Sequence, residues 1–228
     1  MVAEGYRAWA QPYLDRLARP FLGWRPDRLS YLAFGLCGLA ALLSALVRYT
    51  SPRVFLAVAL LIFFGGTFDV LDGEVARKTS RTSRRGDFLD HVLDRYADVL
   101  LLIGFAVSGF VNPLLALLAL VSLLLTSYMG TQAQAVGLGR NYAGLLSRAD
   151  RLLILALAAF LEFDWSLPWP WAPTAPWSRF QLAGIGFTVI DVALVYFVVA
   201  GQFTALTRAR SAYRALPPPA GPPLPPAP

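Results

Sequence analysis

An all-α integral-membrane fold, six transmembrane helices preceded by a juxtamembrane amphipathic helix, is the architecture this sequence predicts, on three observations. The chain of 228 residues is 57% hydrophobic with a mean hydropathy of +0.54, too apolar for a soluble domain of its size. Its apolar residues gather in continuous blocks of roughly 20, the length a helix needs to cross a bilayer core. The basic residues lie almost entirely between alternate blocks, on one side of the implied membrane. A β-barrel is disfavoured because the runs are continuous, where barrel strands alternate.

Residues 1–25 form the juxtamembrane segment. Tyr6, Trp9, Ala10, Tyr13, Leu14 and Leu17 recur at helical spacing, with Arg7, Gln11, Asp15 and Arg16 between them. That pattern predicts a helix lying in the cytoplasmic interface, kinked or opened by Pro12. Six apolar blocks follow near 28–48, 54–76, 88–110, 112–136, 143–162 and 181–207, within a domain spanning 26–212. With a cytoplasmic N-terminus, sixteen of the twenty Lys and Arg residues face the cytoplasm. The opposite side keeps Arg48, Arg53 and Arg179, and Arg95 lies within a span. The positive-inside rule therefore places both termini in the cytoplasm of a multi-pass protein of the cell membrane. These loops account for the net charge of +6, so no nucleic-acid partner is expected.

The lone cysteine, Cys37, excludes a disulfide within the chain and a thiolate metal site, and reads as a packed core thiol. The first apolar run is too late and too long for a cleavable signal. Between the fifth and sixth blocks, Trp165, Trp169, Trp171 and Trp177 with four prolines read as an aromatic belt at the outer interface, ahead of a carbohydrate-binding alternative. From Leu216 the chain is proline-rich, and 213–228 is expected to be a disordered tail.

Function is concentrated between Asp69 and Asp98, which hold seven of the fourteen acidic residues. A carboxylate at membrane depth costs about 2.5–3.5 kcal/mol on insertion scales, so a cluster of them needs a purpose. Asp69 and Asp72 lie one turn apart near the end of the second block. Asp90 and Asp94 lie one turn apart near the start of the third. An antiparallel pair of helices brings all four to one level at the cytoplasmic boundary. Such a set cannot stay ionised in a low-dielectric cleft without a cation, and oxygen-only ligands select Mg²⁺ or Mn²⁺. Gly73 and Ala76 keep that face small, and Arg77 with the following basic loop supplies charge for phosphates.

The spacing Asp69-x2-Asp72-Gly73-x2-Ala76-Arg77-x8-Gly86-x3-Asp90-x3-Asp94 resembles in full the signature of the CDP-alcohol phosphotransferases (CDP-alcohol phosphatidyltransferases). Six helices and a juxtamembrane helix are that family's architecture, so the resemblance covers nearly the whole chain except the tail. It implies that Asp69, Asp72, Asp90 and Asp94 surround two divalent ions, and that Asp94 is the general base for the acceptor hydroxyl. It implies further that Gly73, Ala76 and Arg77 line the nucleotide pocket, that Gly86 admits close helix approach, and that family members pair as homodimers. The expected chemistry moves a substituted, phosphatidyl-type phosphate from a CDP-linked lipid to a small polar alcohol and releases CMP.

At the first span, Pro26 and Ser30 fit the family's Pro-Asn-x-x-Ser/Thr element while Asp27 replaces its Asn. This makes Ser30 a nucleotide-binding candidate beside the plain reading of a helix start. The stretch around Arg148, Ala149 and Arg151 resembles members that use inositol phosphate, which makes the two arginines candidates to grip an acceptor phosphate beside the plain reading of positive-inside anchors. Gly130, Thr131 and Gln132 depart from that subgroup, which leaves glycerol phosphate, serine or another polar alcohol open. His91 is expected to pack beside the site, Asp98 to support it from one turn deeper, and Glu74 to belong to the solvated boundary, while Asp191 finds no partner in the sequence. Two rivals stay open at this stage. One is a cation or proton carrier using the intramembrane acids, and the other is an enzyme whose CDP carries the soluble alcohol.

Overall fold

A computed structural model describes residues 11–139, 148–165, 180–182 and 185–217. Helix α1 covers 11–18 and runs into a 3-10 turn, Arg19–Phe21. Then follow α2 (Pro26–Leu46), α3 (Val54–Lys78), α4 (Arg84–Val107), α5 (Pro113–Ala135) and α6 (Arg148–Trp165). A short antiparallel hairpin, β1 (Phe180–Leu182) and β2 (Ile185–Phe187), precedes α7 (Val189–Ala215). Residues 1–10 with Tyr6, Arg7, Trp9 and Ala10, the outer-loop Trp169, Trp171 and Trp177, and the tail from 218 lie outside the described residues.

The helix starts are written locally. Pro26 and Pro113 occupy first-turn positions, where their missing N–H groups cost nothing. The Ser83 hydroxyl accepts from the Gly86 N–H at 3.0 Å, and Asn112 Oδ1 accepts from Leu114 N–H at 3.0 Å, each satisfying an orphan donor of a first turn. Thr188 and Asp191 form a reciprocal capping box at the start of α7.

Each of α2–α7 packs chiefly on two others, in the closed order α2, α3, α6, α7, α5, α4 and back to α2. Phe55, Ile62, Leu101, Phe105, Leu194 and Phe197 are fully buried in the shared core. The α2–α4 contact is close because Gly104 lies against the backbone of α2. A Cβ there would sit 2.4 Å from the Ala41 carbonyl oxygen. Large apolar side chains stand exposed on the outside of all six helices, among them Leu42, Phe63, Ile103, Leu117, Leu157 and Val199. So much exposed apolar surface suits lipid, not water.

By length and composition, α3, α5, α7 and α2 with its 3-10 extension are apolar enough to cross a membrane. The chain is therefore a largely helical multi-pass membrane protein. Helices α4 and α6 carry too many charges to meet the same criterion, Asp90, Asp94, Arg95 and Asp98 in one and Arg148, Asp150, Arg151 and Glu162 in the other. The expected start of the last span at 181 is corrected by the hairpin. The helix starts eight residues later, where Thr188 caps it.

Candidate active site

Helices α3 and α4 do not pack as the adjacent antiparallel pair expected from the sequence, because α2 lies between them in the ring, yet their motif aspartates converge at the end where α6 begins. Asp69, Asp72 and Asp90 each offer a carboxylate oxygen, and the three oxygens lie within 4.8 Å of one another. Asp72 is buried, while Asp69 and Asp90 are part-exposed. Three acidic oxygens gathered this closely, with no sulfur or imidazole nitrogen among them, fit a hard divalent cation. Ser30, one turn into α2, donates a 2.5 Å hydrogen bond to Asp72 Oδ2 and orients one carboxylate of this group. The resemblance had offered Ser30 as a nucleotide contact, and the structure gives it this carboxylate as partner.

Asp94, one turn further along α4, stands outside the three-carboxylate group. Its Oδ1 lies 2.6 Å from Arg148 NH1, and the same guanidinium nitrogen contacts Asp69. One turn on, Arg151 NH2 donates to the buried Asp98 Oδ2 at 2.9 Å. Arg95 approaches the same oxygen at 3.4 Å and Asp94 Oδ2 at 3.9 Å. Asp98 therefore supports the site from one turn deeper, as its 90–94–98 periodicity predicts. The Nε donors of Arg148 and Arg151 are buried with no partner among the described residues. Two arginines one turn apart, each with a spare buried donor, can take an oxyanion beside the carboxylates.

The remaining motif positions border this centre. Gly86 opens α4 beside the first turn of α2, where a Cβ would stand 4.0 Å from Asp27 Oδ1. Ala76 is half-buried, and Arg77 is exposed with its NH2 2.7 Å from Glu74 Oε2. Glu74, expected at the solvated boundary, is only 3% exposed. His91 lies 3.7 Å from Asp90 and 3.9 Å from Asp87, too far for hydrogen bonds, so it packs beside the site. No single-sequence signal announces the Arg148–Asp94 contact, which joins residues on different helices. The Asp191 cap had one, the Thr-x-x-Asp pattern at 188–191.

A membrane-bound helical ring that closes on an acidic, arginine-flanked cluster defines a metal-assisted phosphate-transfer class. Residues 24–199 match the sequence profile of the CDP-alcohol phosphatidyltransferases. The chain belongs to that family. It is 35% identical over 205 residues to the archaetidylinositol phosphate synthase of Methanothermobacter thermautotrophicus, covering 89% of this chain and 87% of that one. It is 30% identical over 228 residues to the phosphatidylinositol phosphate synthase of Cutibacterium acnes, covering 93% and 98%. The fold is similar to a crystal structure of the Mycobacterium tuberculosis phosphatidylinositol phosphate synthase in complex with manganese and citrate. That likeness has a TM-score of 0.67 at 25% identity and covers 88% of each chain. The same mycobacterial enzyme with CDP-DAG bound is similar at a TM-score of 0.65 and 25% identity, over 88% of this chain and 93% of that one.

Proposed function

We propose that this enzyme transfers a phosphatidyl-type group from a CDP-linked lipid to a hydroxyl of inositol phosphate, releasing CMP. The observation that carries the reading is the meeting of Asp69, Asp72 and Asp90 beside an Arg148 and Arg151 pair whose buried Nε donors have no partner among the described residues. Inositol phosphate is favoured over glycerol phosphate by the names of the relatives, which also leave the lipid open between diacylglycerol and archaeol.

In this reading Asp69, Asp72 and Asp90 hold Mg²⁺ or Mn²⁺, with Asp94 at the edge of the cluster. When bound, the ions neutralise charge on the donor diphosphate and on the departing CMP. Gly73, Ala76, Arg77 and Gly86 border the nucleotide, and Ser30 keeps Asp72 turned toward the centre. Arg148 and Arg151 draw in the acceptor's phosphate, which sets its hydroxyl near Asp94. Asp94 takes the hydroxyl proton as the oxygen attacks the phosphorus, and the bond to CMP breaks in line.

The proposal includes six spans with both termini and the site on the cytoplasmic side. Exposed apolar side chains on α4 and α6, such as Leu100, Ile103, Leu153 and Leu157, support membrane placement of these two helices despite their inward charges. It also includes a homodimer, to be tested by mass measurement in nanodiscs.

The decisive experiment is CMP release by protein in nanodiscs with Mg²⁺ and CDP-diacylglycerol or CDP-archaeol, adding inositol phosphate, glycerol 3-phosphate, serine and inositol one at a time. Release with inositol phosphate alone, lost in Asp94→Asn, is the expected result. Release only with another alcohol reassigns the acceptor. No release with any of them, followed by transfer from CDP-inositol, reverses the donor.

A further inference from the structure

We propose that Glu74 is a positioning residue for Arg77, anchored from the other side by juxtamembrane helix α1. The proposal rests on the reading of Arg77 as a nucleotide-binding residue. Glu74 lies two positions after Asp72, about 200° around the helix at 100° per residue, so it cannot join the metal cluster. It turns instead toward α1 and is buried to 3% exposure. Both of its oxygens are taken. Oε2 accepts from Arg77 NH2 at 2.7 Å, and Oε1 accepts from Gln11 Nε2 at 2.9 Å.

The anchor continues into α1. Gln11 Nε2 also donates to Asp15 Oδ1 at 2.9 Å, and Lys78 Nζ lies 2.6 Å from that same oxygen and 3.8 Å from Glu74 Oε1. Below this polar link, Ala18 packs with Leu29, Leu71 and Val75, and the Phe21 ring meets Phe68 edge-on at 5.7 Å. Helix α1 is thereby fixed to α2 and α3 directly beside the motif.

The arrangement constrains Arg77 selectively. Its side chain is 54% exposed, yet one end of the guanidinium is held by a buried carboxylate. The other end, NH1, lies over Gly73, where a Cβ would stand 3.4 Å away. A long arginine on an exposed face ordinarily samples many rotamers. Holding NH2 removes that freedom before a diphosphate arrives, and preorganisation of this kind appears as affinity. A buried carboxylate is costly unless compensated, and removing its charge releases the guanidinium.

The test measures KM for CDP-diacylglycerol and kcat in nanodiscs for Glu74→Gln, Arg77→Ala and the double variant. Glu74→Gln is expected to raise KM roughly tenfold, the scale of a charge-assisted hydrogen bond, with a smaller change in kcat. In the Arg77→Ala background it should add nothing. If Arg77→Ala raises KM but Glu74→Gln leaves it unchanged, or if the two effects add, the positioning role is overturned while the nucleotide reading of Arg77 stands. If Arg77→Ala leaves KM unchanged, that reading fails and the proposal falls with it. Should Glu74→Gln not fold, Gln11→Ala takes its place with a smaller rise in KM expected. Lower thermal stability with KM unchanged in that variant would also overturn the proposal.

Discussion

The two ends of the helix ring both bury carboxylates, and they treat them oppositely. At the far end, Asp191 Oδ1 accepts from Asn112 N–H at 2.8 Å and its Oδ2 from Thr188 N–H at 2.9 Å. Glu162 Oε2 accepts from Val189 N–H at 2.7 Å, close to the positive end of the α7 dipole. These acids accept from backbone donors that would otherwise be orphaned, which holds α5, α6 and α7 together. At the near end, Asp69, Asp72 and Asp90 face one another, and the adjacent arginines keep buried Nε donors with no partner among the described residues. Burial alone does not separate structural from functional acids. The partner does, because a backbone N–H completes a fold whereas a second carboxylate requires an added cation.

The largest expected effects test this contrast directly. Asp94→Asn should lower CMP formation by about 10²–10⁴-fold, the usual worth of a general base, with melting temperature unchanged or raised. Asp191→Ala should do the reverse. It strands two backbone donors at about 1–3 kcal/mol each, so stability falls while activity per folded molecule persists. Activity assays paired with thermal melts in the same nanodiscs check both. A stable but inactive Asp191→Ala protein would break the distinction between the two ends.

A smaller effect belongs to Ser30, which sits beside the acids without being one. Ser30→Ala removes the 2.5 Å bond that orients Asp72. Loss of such a supporting partner usually costs about 10–100-fold in metal affinity. Mn²⁺ titration followed by electron paramagnetic resonance should show weaker binding, with excess metal restoring most of the activity. A loss that metal does not restore would move Ser30 to the nucleotide.

Much of the near end was legible because its information is periodic. Asp69 and Asp72, Asp90 and Asp94 each repeat at one helical turn, and local spacing survives folding. The cross-helix contacts were not legible. Arg148 meets Asp94, and Gln11 meets Glu74, through helix packing that no single helix encodes. Glu74 was expected at the solvated boundary, and its burial depends on α1 folding across it. The last helix was misjudged for a different reason. Residues 181–187 are apolar enough to extend a span, and the capping signal at Thr188 is what ends that extension. Asp191, uninterpretable as a lone acid in a span, becomes the second half of that cap.

The smallest predicted effect lies at the edge of the near end, where Asp15 of α1 pairs with Lys78 at 2.6 Å while remaining half-exposed. The hydrogen bond from Lys78 holds the Asp15 carboxyl below its ordinary value of 3.8. A lowered carboxyl pKa stabilises the docked helix above that ordinary value, and the contribution disappears as pH falls through the lowered one. Between about pH 8 and 5 the pair should therefore be constant, so KM for the CDP-lipid should show no dependence traceable to Asp15. Salt is the effective lever on an exposed pair, since screening reaches it directly. Asp15→Asn should reproduce part of the rise in KM at high ionic strength and make KM depend less steeply on salt than in the parent protein, the remaining dependence coming from the screened contact of Arg77 with the diphosphate. A salt dependence of KM in Asp15→Asn as steep as in the parent protein would show that α1 is held by Gln11, Glu74 and the Ala18 cluster, with the ion pair contributing nothing to the site.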